Sequence, residues 1–317
     1  REKSGTGHIT AGVPQGSVLG PTLFLIYIND MPKDIKSNVG LFADDTMLYR
    51  QIRTQEDCSI LNDDLSRLQV WEDKWQMEFN ASKCYIMSVT NKKKPICSDY
   101  HIHGQKLQKV DSAKYLGVEI TGNITWSKHI AQISAKASKT SAFIHRNLSG
   151  CPPSIKTKCY KSLVRPSLEY ASTVWDPHHQ KDIDALEAVQ KRAARRMTDN
   201  YSSYSSATNI VQNLGLEKLR TRRQRNKLIT MHKIYNNQIA VPIPSSIRHA
   251  YRKTRGHSNK LTVPNARTNA HLHSFFPSTI RLWNSLPPDA AETECLETFE
   301  RIISFSENYK SCQPSEN

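Results

Sequence analysis

Two adjacent aspartates, Asp44 and Asp45, interrupt the apolar run VGLFADDTMLYR, and that arrangement leaves the backbone few choices. Apolar residues flank the acids at strand-like spacing, so the segment predicts a hairpin: a strand, a tight turn carrying both carboxylates, and a second strand with Met47, Leu48 and Tyr49. The flanks are then buried while the acids stay at an exposed tip. Two hard oxygen donors at one tip suit Mg²⁺, which takes one or two carboxylates together with substrate phosphates, and paired ions of this kind drive in-line displacement at phosphorus. Taken alone, an acidic pair reads first as a solvated turn in which Asp supports the backbone.

Upstream runs GVPQGSVLGPTLFLIYIND, where Gly12, Pro14, Gly16, Gly20 and Pro21 make a stiff loop without bulky side chains before an apolar helix. Pro21 suits a first helical turn, and Leu23, Phe24, Tyr27 and Ile28 form a helical stripe behind it. Glycines at such a place let backbone or ligand approach closely, here a base pair or an incoming nucleotide.

GVPQGSVLGP followed by FADD resembles the palm of reverse transcriptases, specifically those of jockey-like non-LTR retrotransposons. The resemblance implies that Asp44 and Asp45 are metal ligands and catalytic carboxylates, and that Pro14, Gln15 and Gly16 lie near template and nucleotide. FNASKC resembles the family's next motif, which would set Lys83 near the triphosphate to neutralise charge or protonate pyrophosphate. KYLGVEI resembles the primer grip, Tyr115, Leu116 and Gly117, with Gly117 at the bend. Alternation of Tyr115, Gly117 and Glu119 against Leu116, Val118 and Ile120 independently predicts a half-buried strand.

Between these motifs, residues 57 to 79 read as one helix, with Leu61, Leu65, Leu68, Trp71 or Glu72, and Trp75 inward and Asp63, Asp64, Arg67 and Lys74 mostly outward. The tryptophans are read as core. Asp30, in YINDMP, reads as a cap or turn residue and not as a catalytic acid.

A formal charge of +15 over 317 residues points to a polyanionic partner, and no apolar run is long enough to span a membrane. Seven cysteines without framework spacing suit a reducing compartment. An intracellular protein, nuclear or cytoplasmic and not secreted, is expected. Neither Cys97, His101 and His103 nor His145, Cys151 and Cys159 has the spacing of a structural zinc site.

After Ile120 the chain turns helical and basic. Residues 126 to 148 carry Trp126, Ile130, Ile133, Ala137 and Ile144 at helical spacing, resembling a thumb; a second helix, about Ser154 to Tyr170, has Ile155, Cys159, Leu163 and Val164 inward and a kink expected at Pro166. LEYASTVWDPH resembles the segment that follows the palm in jockey-like elements and argues against a group II intron maturase. Leu186, Val189, Ala193 and Met197 then form an apolar line, with Lys191, Arg192, Arg195 and Arg196 opposite; Arg220, Arg222, Arg223, Arg225 and Lys227 make a second basic cluster. Both clusters read as tracks for a phosphate backbone, the alternative being solvated basic faces. YSSYSSAT reads as an inter-helix loop, Phe275 to Leu286 as an apolar anchor, and the residues after Tyr309 as disordered.

The expected architecture is α+β: an incomplete palm over 1–121, a helical thumb and basic helical domain over 122–237, and a partly irregular C-terminal extension over 238–317 with its apolar anchor at 274–288. The resemblance implies an RNA-directed DNA polymerase with two Mg²⁺ ions in the complete enzyme, acting on RNA template, DNA primer and deoxynucleotides. The first palm aspartate, the fingers and an endonuclease have no counterpart here, so the isolated chain is expected to polymerise little or not at all. The rival reading is a non-catalytic nucleic-acid-binding remnant.

Overall fold

The computed structural model describes residues 16–250 and 256–305, so Pro14, Gln15 and the tail after Tyr309 lie outside the described residues. Two compact units divide the chain, residues 1–113 and 114–317. Helices and small β-sheets mix, and among the described residues no helix is long and apolar enough to cross a membrane.

In the first unit α1 (Gly20–Ile28) carries Pro21 in its opening turn. Of its expected stripe, Ile28 is buried and Phe24 and Tyr27 are half-buried, while Leu23 lies exposed. Strands β1 (Asn38–Phe42) and β2 (Asp45–Tyr49) pair antiparallel, and α2 (Gln55–Trp75) follows. Thr54 starts α2 through a capping box with Asp57. Backbone N–H groups of Arg53 and Thr54 on the Asp57 carboxylate, with Arg50 beside it, hold its pKa below the usual range. Short strands β3 (Tyr85–Ile86), β4 (His101–Ile102), β5 (Gln105–Lys106) and β6 (Gln108–Lys109) complete the unit, β3 pairing parallel with β6 and β4 antiparallel with β5.

The helix expected over 57–79 stops at Trp75. Gln76 adopts φ +52°, and the chain turns back so that the Phe79 N–H donates to buried Glu72. Asp64, expected outside, is fully buried: it accepts from the backbone of Lys36 (3.0 Å) and Ser37 (2.8 Å) and from the Arg67 guanidinium (2.8 Å). Burial pushes its pKa up, but those donors prevail and hold it below the usual range. Asp30 is structural too, since its carboxylate accepts the indole N–H groups of Trp71 (2.8 Å) and Trp75 (3.1 Å).

The boundary between the units falls within β7 (Ser112–Tyr115), which pairs with β8 (Val118–Thr121). The single bent strand expected over 114–120 is thus two strands. Leu116 (φ +44°) and Gly117 (φ +84°) form a two-residue turn with both residues left-handed, the geometry that matches hairpin twist.

Helices build the second unit. α3 (Ser127–Asn147) buries Ile130, Ala137 and Ile144 as its spacing predicts. The helix expected over 154–170 is α4 (Pro153–Cys159), one π turn over 160–164, and α5 (Arg165–Glu169). Pro166 has no N–H and its ring crowds the preceding turn; the wider turn, in which the Arg165 N–H reaches Tyr160 O, relieves that crowding. Consequently Ile155 and Leu163 face outward, while Lys156, Tyr160, Val164 and Leu168 are buried. Next come α6 (Ser172–Trp175), α7 (Gln180–Thr198), α8 (Ala207–Asn213) and α9 (Leu219–Tyr235). α10 (Asn269–Leu272), α11 (Phe275–Asn284), α12 (Pro288–Ala291) and α13 (Leu296–Phe305) end the described chain. One core gathers Leu168, Trp175, Leu186 and Ala193; a second gathers Leu228, Met231, Ile280, Trp283 and Phe299. Leu219 of α9 belongs to the first and Leu228 to the second, so this helix joins both.

Candidate active site

Hairpin register decides where the acids sit. Phe42 pairs with Asp45, Leu41 with Thr46 and Val39 with Leu48, so the turn is Ala43–Asp44 and Asp45 opens β2. Cross-strand partners share a face: Leu41 and Leu48 pack toward the unit's core, while Asp45 stands with Phe42 and Tyr49 on the outer face. Phe42 is 60 % exposed and Tyr49 53 %. Ala43 holds φ +50°, a left-handed conformation that costs an alanine about 1 kcal/mol or more. Both carboxylates are exposed, and no hydrogen bond or ion pair engages either of them among the described residues.

Two uncommitted adjacent carboxylates at a strained tip fit a magnesium ion that takes its other ligands from phosphates and water. Among the described residues no group of three or more His, Cys, Asp or Glu side chains is placed to hold a metal. Asp44 and Asp45 would therefore offer such an ion two donors.

The other expected site residues distribute as follows. Gly16 is exposed at φ +81°, just before Ser17 accepts the Gly20 N–H (3.0 Å). Lys83 ends a single 3-10 turn, Ala81–Lys83, capped by Asn80, and is exposed without an ion pair among the described residues. Beside it, burial and the Glu72 charge push the Cys84 thiol up, so it stays protonated at neutral pH. Tyr115, Leu116 and Gly117 belong to the second unit. There the Tyr170 hydroxyl donates to Leu116 O (3.1 Å), and a Cβ on Gly117 would meet the Tyr170 ring at 3.1 Å. The sequence reading missed Tyr170; LEY offered no signal, because its partner turn lies more than fifty residues away.

The basic clusters divide sharply. On α7, Lys191 and Arg192 are exposed and free of ion pairs among the described residues. Arg195 instead donates to the carbonyls of Asn200 (3.3 Å), Ser202 (3.1 Å) and Ser205 (2.8 Å), and Arg196 donates to Ser138 O (3.5 Å) and Ser141 Oγ (3.4 Å). On α9 four of the five expected cations form an internal network, and Arg220 is half-buried without an ion pair among the described residues. Arg222 pairs with Glu169, Arg225 with Glu217, Arg223 with Asp176 (2.9 Å) and Lys227 with Asp176 (2.6 Å). Arg223 has no exposed surface. Neither Arg222 nor Arg223 presents a free guanidinium to a phosphate, because burying α9 on several sides required its cations to be neutralised from within.

Comparison with known families sets the class. Residues 2–120, which include the Asp44–Asp45 hairpin, match the reverse transcriptase (RNA-dependent DNA polymerase) family model. The chain is similar to RNA-directed DNA polymerases of non-LTR elements from Drosophila melanogaster: 31 % identical to that of transposon X-element over 60 % of this chain and 22 % of the relative. It is also 29 % identical to that of mobile element jockey over 68 % of this chain and 25 % of the relative, and 26 % identical to that of transposon BS over 78 % and 29 %. The chain thus spans about a quarter of the length of these relatives. No solved structure matches it.

Proposed function

We propose that this chain is the palm-to-C-terminal portion of a jockey-like RNA-directed DNA polymerase, and that Asp44 and Asp45 supply part of the nucleotidyl-transfer site. The observation that carries the reading is the hairpin tip: two adjacent exposed carboxylates without an ion pair among the described residues, inside the segment that matches the reverse transcriptase family. Bound Mg²⁺ would supply the Lewis acid that stabilises attacking and leaving oxygens on the primer 3′-hydroxyl and the α-phosphate. Asp44 and Asp45 would hold the metal, and Lys83 would neutralise charge on the triphosphate. Pro14, Gln15 and Gly16 would approach template and nucleotide, and the Leu116–Gly117 turn, stiffened by Tyr170, would position the primer end. Substrates are an RNA template, a DNA primer and deoxynucleotides, and the first unit plays the palm while α3 to α9 play thumb and basic extension. Beyond α9 the chain would serve as a C-terminal extension anchored by Trp283. Lys191 and Arg192 are exposed cations of the expected set, without an ion pair among the described residues, that remain available to a phosphate backbone.

The test is incorporation of labelled dTTP on poly(rA)·oligo(dT) with Mg²⁺, by a polypeptide carrying these residues alone and by the complete element polymerase. Asp44→Asn and Asp45→Asn should each abolish incorporation in the complete polymerase, while Asp63→Asn, on the exposed side of α2, leaves it intact. Undiminished incorporation by either hairpin variant would sink the assignment.

A further inference from the structure

Arg195, expected on a phosphate, holds a loop instead. Its guanidinium donates to three carbonyls of the α7–α8 connector, those of Asn200, Ser202 and Ser205. The same connector is braced by the Ser202 N–H on Asn200 Oδ1 (3.3 Å), the Tyr204 N–H on Ser202 Oγ (3.3 Å) and the Ser205 N–H on Ser202 O (3.2 Å). At one end Asp199, left-handed at φ +51°, closes α7; at the other Ser206 caps α8. The loop is polar and braced, yet it carries two aromatic residues that face largely outward: Tyr204 is 99 % exposed and Tyr201 60 %.

The surroundings indicate what such rings meet. Lys191 and Arg192 lie four and three residues before Arg195 on α7, so they share its face of the helix, next to the loop that Arg195 holds. Both are exposed and free of ion pairs among the described residues. Asp199, the acid at the start of the loop, is already paired with Lys156 at 2.6 Å. Exposed rings beside uncommitted cations are the combination that binds single-stranded nucleic acid, bases stacking on the rings while phosphates meet the cations.

We propose that residues 199–206 form a stacking platform for single-stranded nucleic acid, with Tyr204 and Tyr201 as the stacking rings, Lys191 and Arg192 as phosphate contacts and Arg195 as the positioning residue. This rests on the nucleic-acid reading above and adds a second contact region, within the second unit. A duplex keeps its bases stacked on each other and gains little from such rings; an unpaired strand gains a stack per ring.

The experiment measures affinity of the full chain for labelled oligo(rU), oligo(dT) and a blunt DNA duplex, the first two arms separating RNA from DNA as the natural strand. Each stacked base lost should weaken binding about 5- to 150-fold, so Tyr201→Ala/Tyr204→Ala should lose at least about 5-fold on a single strand and less than about 2-fold on duplex. Tyr201→Phe/Tyr204→Phe should retain the affinity, which a merely structural hydroxyl role would not. Arg195→Gln, with both rings in place, should weaken single-strand binding in the same direction. Tyr204→Trp gives a direct readout, because stacking on a base quenches indole emission. If the unaltered chain binds single strands but the double alanine variant binds them equally and the indole is not quenched, the platform is wrong and the polymerase reading stands. If the unaltered chain binds none of the three probes, both readings fail.

Discussion

Arg223 donates through Nε to the Asp176 carboxylate across 2.9 Å, with no surface of its own exposed to water. Lys227 reaches the other Asp176 oxygen at 2.6 Å. Two cations of the most basic stretch in the sequence thus converge on one acid from a loop some fifty residues earlier. Asp176→Ala would strand both in the interior, and breaking a buried pair by removing one partner costs about 3–5 kcal/mol. Urea unfolding of the variant should show a loss of that order; a loss below about 1 kcal/mol would mean that water already neutralises the pair.

Asp30 provides a second structural test. Its carboxylate accepts two indole N–H groups, from Trp71 and Trp75. Asp30→Ala leaves them without that acceptor, at a cost of about 1–3 kcal/mol. Tryptophan emission should shift at a lower urea concentration, whereas a catalytic role for Asp30 would alter nucleotide incorporation without altering stability.

At the β7–β8 turn, Gly117→Ala introduces a Cβ 3.1 Å from the Tyr170 ring at a φ of +84°. The strain and the clash together should cost about 1–3 kcal/mol. Gly117→Ala/Tyr170→Ala removes the clash but not the strain, so partial recovery of the unfolding midpoint is expected. An unchanged midpoint in Gly117→Ala would show that the turn is not held as described.

Five histidines of the second unit have pKa values depressed first by burial: His129, His178, His232, His257 and His273. His178 and His273 stack at 4.1 Å, and His232 stacks on Phe299 at 4.3 Å. A depressed histidine binds fewer protons folded than unfolded. The stability it contributes is complete above the unfolded pKa of about 6.5 and is lost as pH falls from there toward the folded value. The unfolding midpoint should therefore drop between neutral pH and mildly acid pH, and His232→Gln should flatten that drop. A midpoint that rises on acidification would contradict this burial.

Lys191→Gln/Arg192→Gln removes the two exposed cations of α7. If they contact phosphates, the slope of log K against log salt should become shallower by about 1.5. Arg222→Gln should instead lower stability, because Arg222 is bonded to Glu169.

Local pattern carried the hairpin, the apolar faces of α3 and α7 and the core role of Trp71, because each depends on residues a few positions apart. The exposed tip holding Asp44 and Asp45 was legible for the same reason: a polar pair between alternating apolar flanks has one economical backbone solution. The basic clusters were not. Lys191 and Arg192 on one helix and Arg223 and Lys227 on another look alike in sequence, and what separates them is an acid at position 176.

By itself the sequence determined the carboxylate hairpin, its spacing along the chain from the glycine-rich string and the family that this pairing resembles, since these reside in short contiguous strings. Only the tertiary structure decided which charges remain available. Helix α9 lies between two cores, so Arg222, Arg223 and Arg225 had to be neutralised from within; Arg195 was drawn to three carbonyls of a neighbouring loop. A cation's role follows from its solvation and its nearest acceptors, and both are set by chain segments far away in sequence.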